Sequence, residues 1–287
     1  METTRSVYIG LDIGGTKTLV AAATETGRIL TLRRADTPLK LAQGLQLIKD
    51  LTREVAQGAT IRGMGAAVGG PLEYRTGVVS PLHQPEWREV PLKQIMETEF
   101  QAPFTVDVDT NLAALGEYTF GGERSSRLLY ITLSTGMGGG LLLEGEIYRG
   151  VDGAHPEVGH QAIPFRCAYP ERVQCECGAP DCLEGLISGN AIRRIYGKPP
   201  EALTDAEWAE VGYNLGQGLR NAAALYAPEV IVLGGGVALG GGEKLLTPAR
   251  EVLRRHLNIV PVPEVRLSHL QDQAPLMGAI AVAIRNQ

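Results

Sequence analysis

The chain has 287 residues, 44% of them apolar, a formal net charge of −5 from 27 basic and 32 acidic side chains, and four cysteines. At roughly 150 residues per domain the length suggests about two domains, and each has enough apolar material to bury a core. No stretch approaches the ~18 uninterrupted apolar residues that a bilayer-spanning helix needs, and an acidic balance without long runs of one sign argues against nucleic acid or an anionic membrane as the main partner. The opening METTRSVYIGLD lacks the basic, apolar and small-residue regions of a secretory signal, so the expectation is a cytoplasmic protein that acts on small molecules.

Residues 7–13 (VYIGLDI) and 18–24 (TLVAAAT) are short β-rich runs around the turn IGGTK, and LRRADT after ETGR supplies a third, predicting an opening β-meander. Leu41, Leu45, Ile48, Leu51 and Val55 recur at helical spacing. MGAAV then reads as a buried strand, PLKQIMETEF as a helix begun by Pro91, FTVDVD as a strand, and TNLAALGEYTF as a helix that follows it directly. A second meander, RLLYITLSTGMGGGLLLEGEIYRG, again places two β-rich runs about a glycine turn, a weak internal repeat. Thr204-Asp-Ala-Glu207 has capping-box spacing and opens a helix to about Ala227. Strand EVIVLGGG, helix EKLLTPAREVLRRHL, strand EVRLSHL and a helix from about Pro275 complete the chain. The alternation indicates α/β architecture, with a boundary near Gly121-Gly122, where the second meander begins.

Three glycine-rich turns carry candidate ligand chemistry. Asp12-Ile-Gly14-Gly15-Thr16-Lys17 sits at a strand end, and its lysine falls one residue late for a G-x4-G-K-[ST] phosphate loop. Glycines there let backbone N–H groups approach an anion, Asp12 could hold a metal ion through water, and Thr16 or Lys17 could contact phosphate; a plain hairpin turn is the commoner use of such residues. Ser134-Thr135-Gly136-Met137-Gly138-Gly139-Gly140 holds more glycines and hydroxyls than a hairpin needs, which moves both turns toward phosphate. Its strand-like continuation disfavours a dinucleotide fingerprint. Gly234-Gly235-Gly236 lies at the carboxyl end of a strand, where α/β folds place ligands, although a strand-to-helix turn explains it as well. The cysteines all fall between Cys167 and Cys182, and such a cluster in a reducing compartment reads as metal ligands rather than disulfides.

In this order, DIGGTK, VDVDTNLAALGE, STGMGGG, EVGH, CECGAPDCLEG and IVLGGG resemble the ROK family of bacterial sugar kinases, most closely its glucokinases, over nearly the whole chain. The resemblance implies an actin-like ATPase (ribonuclease H-like) fold, α/β in class, of two lobes with a central cleft. A small lobe would comprise residues 1–120, with a last helix at about 275–287 packing back on it, and a large lobe 121–274 with a zinc-binding loop. ATP with Mg2+ as phosphoryl donor, a hexose accepting at its 6-hydroxyl, and a homodimer or homotetramer are implied in the same way. Cys175, Cys177 and Cys182 match the family's C-x-C-G-x2-G-C pattern, with Asp181 in place of its last glycine, and His160 matches the upstream histidine, which implies structural Zn2+. Three thiolates and an imidazole complete a tetrahedral set and leave no open position for a catalytic water. Cys167 has no counterpart and reads as an ordinary thiol.

Transfer to a sugar hydroxyl needs a base near that oxygen and a held phosphate. Asp109 matches the family's catalytic aspartate. Asp107 shares its face on an ideal strand, so spacing leaves both open and only the motif register selects Asp109. The resemblance places Gly70, Asp109, Glu157, His160 and Glu184 at the sugar, with His160 serving twice, one ring nitrogen on zinc and the other toward the sugar. It places Asp12, Gly14, Gly15, Thr16, Lys17, Ser134, Thr135, Gly136, Gly138, Gly234, Gly235 and Gly236 at ATP. Three departures fall around the sugar: Val108 stands where the family has Asn, Gly69-Gly70-Pro71 and approximately His83 replace its Pro-Gly pair and a following Asn, and His155-Pro156 replaces Ala-Gly. Losing an amide that bonds a hydroxyl changes discrimination by orders of magnitude. The reading is therefore a hexose kinase with glucose preferred, and fructose, mannose, allose or an N-acetylhexosamine as alternatives. A repressor of the family would carry an N-terminal helix-turn-helix, for which a chain starting at the phosphate strand leaves no room. A non-catalytic sugar-binding regulator is the remaining alternative, against which Asp109 and the two glycine turns argue.

Overall fold

The computed structural model describes residues 6–122 and 124–286. Residues 1–5 of the expected first lobe, which also bear on the signal-peptide reading, and Gln287 of its returning helix lie outside the described residues. The elements in chain order are β1 (Ser6–Ile13), β2 (Lys17–Ala23), β3 (Ile29–Asp36), α1 (Leu41–Ala56), β4 (Thr60–Val68), β5 (Leu72–Glu73), β6 (Val78–Val79), β7 (Val90–Pro91), α2 (Leu92–Phe100), β8 (Phe104–Val108) and α3 (Asp109–Phe120). They continue with β9 (Arg127–Leu133), β10 (Met137–Leu143), β11 (Glu146–Ile147), α4 (Glu184–Ile187), α5 (Gly189–Tyr196), α6 (Asp205–Tyr226), β12 (Val230–Gly234), α7 (Gly236–His256), β13 (Glu264–Leu267) and α8 (Ala274–Arg285). Among the described residues no helix is long and apolar enough to cross a membrane.

Contacts gather the described residues into two compact units, one of 6–122, 149–154 and 273–286, the other of 124–148 and 155–272. Each is built on a five-stranded sheet, ordered β3-β2-β1-β4-β8 in the first and β11-β10-β9-β12-β13 in the second. In both, the central strand is antiparallel to the hairpin strand on one side and parallel to the strands on the other. The repeat legible as two glycine turns is thus a repeat of topology. Helices cover the sheets because their apolar residues fall on one side: α1 buries Ile48, Leu51 and Val55, and α6 begins at a complete capping box in which Thr204 Oγ1 accepts from Glu207 N while Thr204 N donates to the Glu207 carboxylate.

Several boundaries differ from the pattern-based expectation. Pro91 lies in β7 and caps α2 from outside rather than beginning it. The strand FTVDVD ends at Val108, and Asp109 is already helical. Within α7 the chain leaves helical geometry at Gly242 (φ +52°, ψ −135°), so the expected helix from Glu243 is its second segment, and the glycines of VALGGG hid only the short segment that opens at Gly236. Glycine disfavours helix by about 1 kcal/mol relative to Ala, yet a Cβ at Gly241 would stand 2.8 Å from the Trp208 ring of α6, so close helix packing selects it. The miniature sheet β5-β6-β7 and the short α4 and α5 are too brief to leave a period in the sequence.

Within the first unit α8 lies against β1 and β4 and alongside α3. This approach needs glycine: a Cβ on Gly278 would overlap the Leu112 carbonyl of α3, and one on Gly65 the Ala279 carbonyl of α8. Replacing Gly278 with Ala gains up to about 1 kcal/mol of helix propensity but forces two backbones apart, at about 1–3 kcal/mol or more. Gly278→Ala is therefore expected to lower the urea midpoint without changing the slope; an unchanged or higher midpoint would contradict this packing.

Candidate functional site

The parallel strands decide where the candidate residues emerge. Ile13, Val68 and Val108 are in register across β1, β4 and β8, so the 14–17 turn, the Gly69-Gly70-Pro71 segment and Asp109 all leave one edge of the first sheet. Thr132 and Gly234 are likewise in register across β9 and β12, which brings the Ser134–Gly136 turn and Gly235-Gly236 to one edge of the second. In α/β sheets this carboxyl edge is where ligands bind.

At the first edge, Asp109 opens α3, half-buried, with Oδ1 accepting from Thr110 N at 2.7 Å. Because the strand stops at Val108, Asp107 does not share its surroundings. Asp107 is 2% exposed. Its Oδ1 accepts from Val108 N at 2.7 Å and Asn111 Nδ2 at 3.0 Å, and its Oδ2 is paired with Arg149. The Arg149 guanidinium lies 4.0 Å from the centre of the Tyr74 ring, a cation–π contact. Sequence reasoning left Arg149 and Tyr74 unmentioned, since neither sits in a motif.

Asp12 is half-buried on β1. The turn after it closes through Gly14 N to Lys17 O (2.9 Å), and Thr37 fastens it by donating its hydroxyl to Gly14 O (2.7 Å) and its amide to Thr16 O (3.0 Å). Gly15, Thr16 and Lys17 stand exposed. A Cβ on Gly15 would approach His83 Cβ to 2.9 Å, so this turn packs against the 80–88 loop. That loop also runs beside Gly70, whose carbonyl accepts from Leu82 N at 3.0 Å. His83 and Gly70 therefore gather at the edge that offers Asp109, while Val108, 7% exposed, presents no amide there.

At the second edge, Ser134 N donates to Gly136 O (2.9 Å), and the turn is braced by Gly189 N to Ser134 O (2.7 Å) and Asn190 N to Thr135 O (3.1 Å). Glu184, the first residue of α4, accepts from Met137 N at 2.8 Å through Oε2, and Gly136 faces the same carboxylate. Thr135 is exposed; Ser134, Gly136 and Gly138 are half-buried. Gly234 ends β12, and Gly235 adopts φ +88°, with Leu133 O where a Cβ would lie 2.5 Å away. Gly236 begins α7, an N-terminus whose amides and dipole favour an anion. Glu157 is exposed and pairs with His155, Nε2 to Oε1 3.4 Å, a partner that the sequence registered only as a departure from the family pattern. One turn later His160 N donates to Glu157 O at 3.0 Å.

His160, Cys175, Cys177 and Cys182 converge, with one donor atom from each lying within 4.8 Å of all the others. Cys175 Sγ is 3.5 Å from His160 Nδ1, and Cys177 Sγ is 3.4 Å from Cys182 Sγ. Metal–ligand lengths of about 2.3 Å to sulfur and 2.0–2.1 Å to nitrogen put tetrahedral donors at about this spacing. The backbone prepares it: Ala162 bridges Cys182, Leu183 N donates to Gln161 O at 3.0 Å, and Gly178 turns at φ +89° to reach Cys175 O. A hydrogen bond from the Ala179 backbone, with the neighbouring thiols, draws Cys177 down to about 7, whereas burial pushes Cys182 up to about 12 and Cys175 upward. Two buried thiols that resist ionisation beside one that favours it suit a divalent cation, which supplies the missing charge. Cys167 stands outside the cluster, half-buried against the core of its unit, with burial raising its thiol. Freshly purified protein is expected to carry one zinc per chain, and its Co2+-substituted form the visible absorption of a tetrahedral thiolate complex. Chelation should lower the melting temperature; absence of metal, or indifference of Tm to its removal, would count against the centre.

Comparison with known proteins matches residues 8–286 to the model of the ROK family. The chain is 31% identical to a glucokinase of Streptomyces coelicolor, with 96% of each covered. It is 30% identical to a fructokinase of Zymomonas mobilis, over 99% of this chain and 98% of that one. Its structure superposes on a ROK family glucokinase from Streptomyces griseus, solved in complex with glucose and AMPPNP, with TM-score 0.80 and 29% identity, over 98% of this chain and 100% of that one.

Proposed function

The chain belongs to the ROK family and has its actin-like ATPase fold, and from that premise we propose that it is an ATP-dependent hexose kinase, with glucose as preferred acceptor and Asp109 as general base. The observation that carries the reading is the contrast between its two aspartates. Asp107 is buried and engaged by three donors, Arg149 among them, whereas Asp109 sits half-exposed at the carboxyl edge of the sheet, in the register of the family's motif.

In this reading Asp109 takes the proton of the sugar 6-hydroxyl as that oxygen attacks the γ-phosphorus of ATP, whose bond to the β,γ-bridging oxygen breaks to release ADP. By the family resemblance, Gly70, Glu157, His160 and Glu184 hold the remaining hydroxyls. His160 turns Nδ1 toward the thiols, which leaves Nε2 for the sugar, so a metal that performs no chemistry still orients a sugar ligand. Backbone amides of the 14–17 and Ser134–Gly138 turns and the N-terminus of α7 at Gly234–Gly236 suit the phosphates. Thr16 and Lys17 stand ready to contact phosphate, and Asp12 would hold the accompanying Mg2+ through water. Zinc fits the Cys3His donor set and supplies a closed tetrahedral node. The two compact units are taken as the family's two lobes, with residues 149–154 assigned to the first.

A different preferred hexose is favoured by one specific observation: Val108 and His83 stand in place of amide-bearing side chains. ADP release from Mg-ATP against glucose, mannose, fructose, allose, glucosamine, N-acetylglucosamine and N-acetylmannosamine distinguishes the readings. A lead for glucose supports the proposal, a lead for another sugar reassigns the substrate, and no turnover with any would favour a sugar-binding regulator or a substrate outside the panel.

Asp109→Asn is expected to lower kcat by about 10²–10⁴-fold with an unchanged unfolding midpoint. Asp107→Asn leaves Arg149 without its counter-charge and should show first as lost stability. Substantial turnover in the Asp109 variant would move the base to Asp107.

A further inference from the structure

Three of the four metal donors, Cys175, Cys177 and Cys182, sit on a loop that has little regular structure of its own, and a cation elsewhere in the second unit closes it. Cys175 follows Gln174 at one foot of the loop, and Cys182 precedes Gly185 by three residues at the other. Arg194, in the last turn of α5, reaches both feet. Its Nε donates to Arg172 O at 2.9 Å, and its Nη2 donates to Gln174 O at 2.6 Å and Gly185 O at 2.9 Å. The feet are also pressed together, because a Cβ on Gly185 would lie 2.7 Å from Gln174 O and 3.2 Å from Cys175 N. The helix carrying Arg194 has its own end contacts, since Ser188 caps it by accepting from Ala191 N at 3.2 Å and Gly197 ends it in the left-handed region, and the foot returns one bond to it, Arg172 Nη1 donating to Ile195 O at 2.8 Å.

Three features make this arrangement more than a surface contact. All three acceptors are backbone carbonyls, so the interaction survives changes of side chain along the loop. Charge-assisted hydrogen bonds are roughly twice as strong as neutral ones, and the planar guanidinium fork addresses several carbonyls with less freedom lost per bond than a lysine ammonium. None of the contacts uses a donor atom of the Cys3His cluster, so they persist whether or not a metal is bound.

We propose that Arg194 is the positioning residue of the metal loop: it holds the two feet together without metal, so that Cys175 and Cys182 are gathered before the ion arrives, and it thereby fixes Glu184, the residue next to Gly185. The last clause rests on the assignment of Glu184 to the sugar; the closure of the loop does not.

The test compares wild type, Arg194→Met, Arg194→Lys, and Arg193→Met, which removes the same charge from the adjacent exposed position of the same helix. Metal-stripped proteins are digested with endoproteinase Glu-C and cleavage between Glu171 and Glu184 is timed; the zinc-loaded proteins are titrated with a competing chelator. Metal-free Arg194→Met should be cut markedly faster in this segment than wild type and Arg193→Met, and should hold zinc about 10–100-fold more weakly, with Arg194→Lys between. Equal cleavage rates in the metal-free proteins would overturn the staple, whether or not any of them binds zinc, and equal zinc affinity would overturn the claim that it prepares the ion site. Circular dichroism of the loaded variants checks that they fold, and if Arg194→Met does not, Arg194→Lys against Arg193→Met decides the question. A chain that shows no sugar kinase activity would remove the Glu184 clause alone.

Discussion

A carboxylate removed from water must find donors or lose its charge, and Asp107 finds them in three directions. Val108 N and Asn111 Nδ2 tie it to the corner between β8 and α3, while Arg149 ties that corner to the 149–154 segment. Tyr74 underlies the guanidinium, and the same ring fills the space beside Gly153. The corner that presents Asp109 is therefore set by strand register beneath it and by an ion pair beside it. The pair is nearly buried on the acid side and a quarter exposed on the arginine side, the geometry in which breaking one partner costs more than the pair contributes. Its value lies in defining one arrangement of the corner.

Much of the architecture was legible because the chain alternates period-2 and period-3.6 patterns with clear punctuation. Thr204 and Glu207 announced α6 by chemistry alone, and the two meanders announced themselves by glycine turns between β-rich runs. Where expectation and structure part, the causes are brevity of the element or tertiary proximity that overrules local preference. VALGGG looked like a loop, and the chain does leave helical geometry at Gly242, but a short helical segment precedes that break because Trp208 leaves no room for a side chain at Gly241. FTVDVD looked like six strand residues, so Asp107 and Asp109 seemed equivalent, and one residue's difference in the strand end separated a buried structural acid from a half-exposed one.

The candidate site was legible in proportion to how far its chemistry is written in consecutive residues. Cysteine spacing gave three donors, and the upstream histidine required only a motif. What escaped notice were the partners that act through single contacts from distant positions: Arg149 on Asp107, His155 on Glu157, Arg194 on three carbonyls. Arginine and histidine are common on surfaces, and no spacing distinguishes one that reaches a buried acid or a loop foot from one that is solvated.

The helix α8 closes the first unit although it is the last element of the chain. Its partners, the faces of β1 and β4 and the apolar side of α3, are all made before residue 121, and roughly 150 residues of the second unit follow before the covering helix appears. At about 5–20 residues per second, that interval is on the order of ten seconds. Throughout it, Leu112 of α3 and the face of β1 and β4 that carries Tyr8, Gly10, Gly63 and Gly65 lack the helix that lies against them. The unit begun first is finished last, so on the ribosome the second unit can complete its fold while the first still waits for its lid, and loss of α8 strips cover from the sheet that β1 and β4 build.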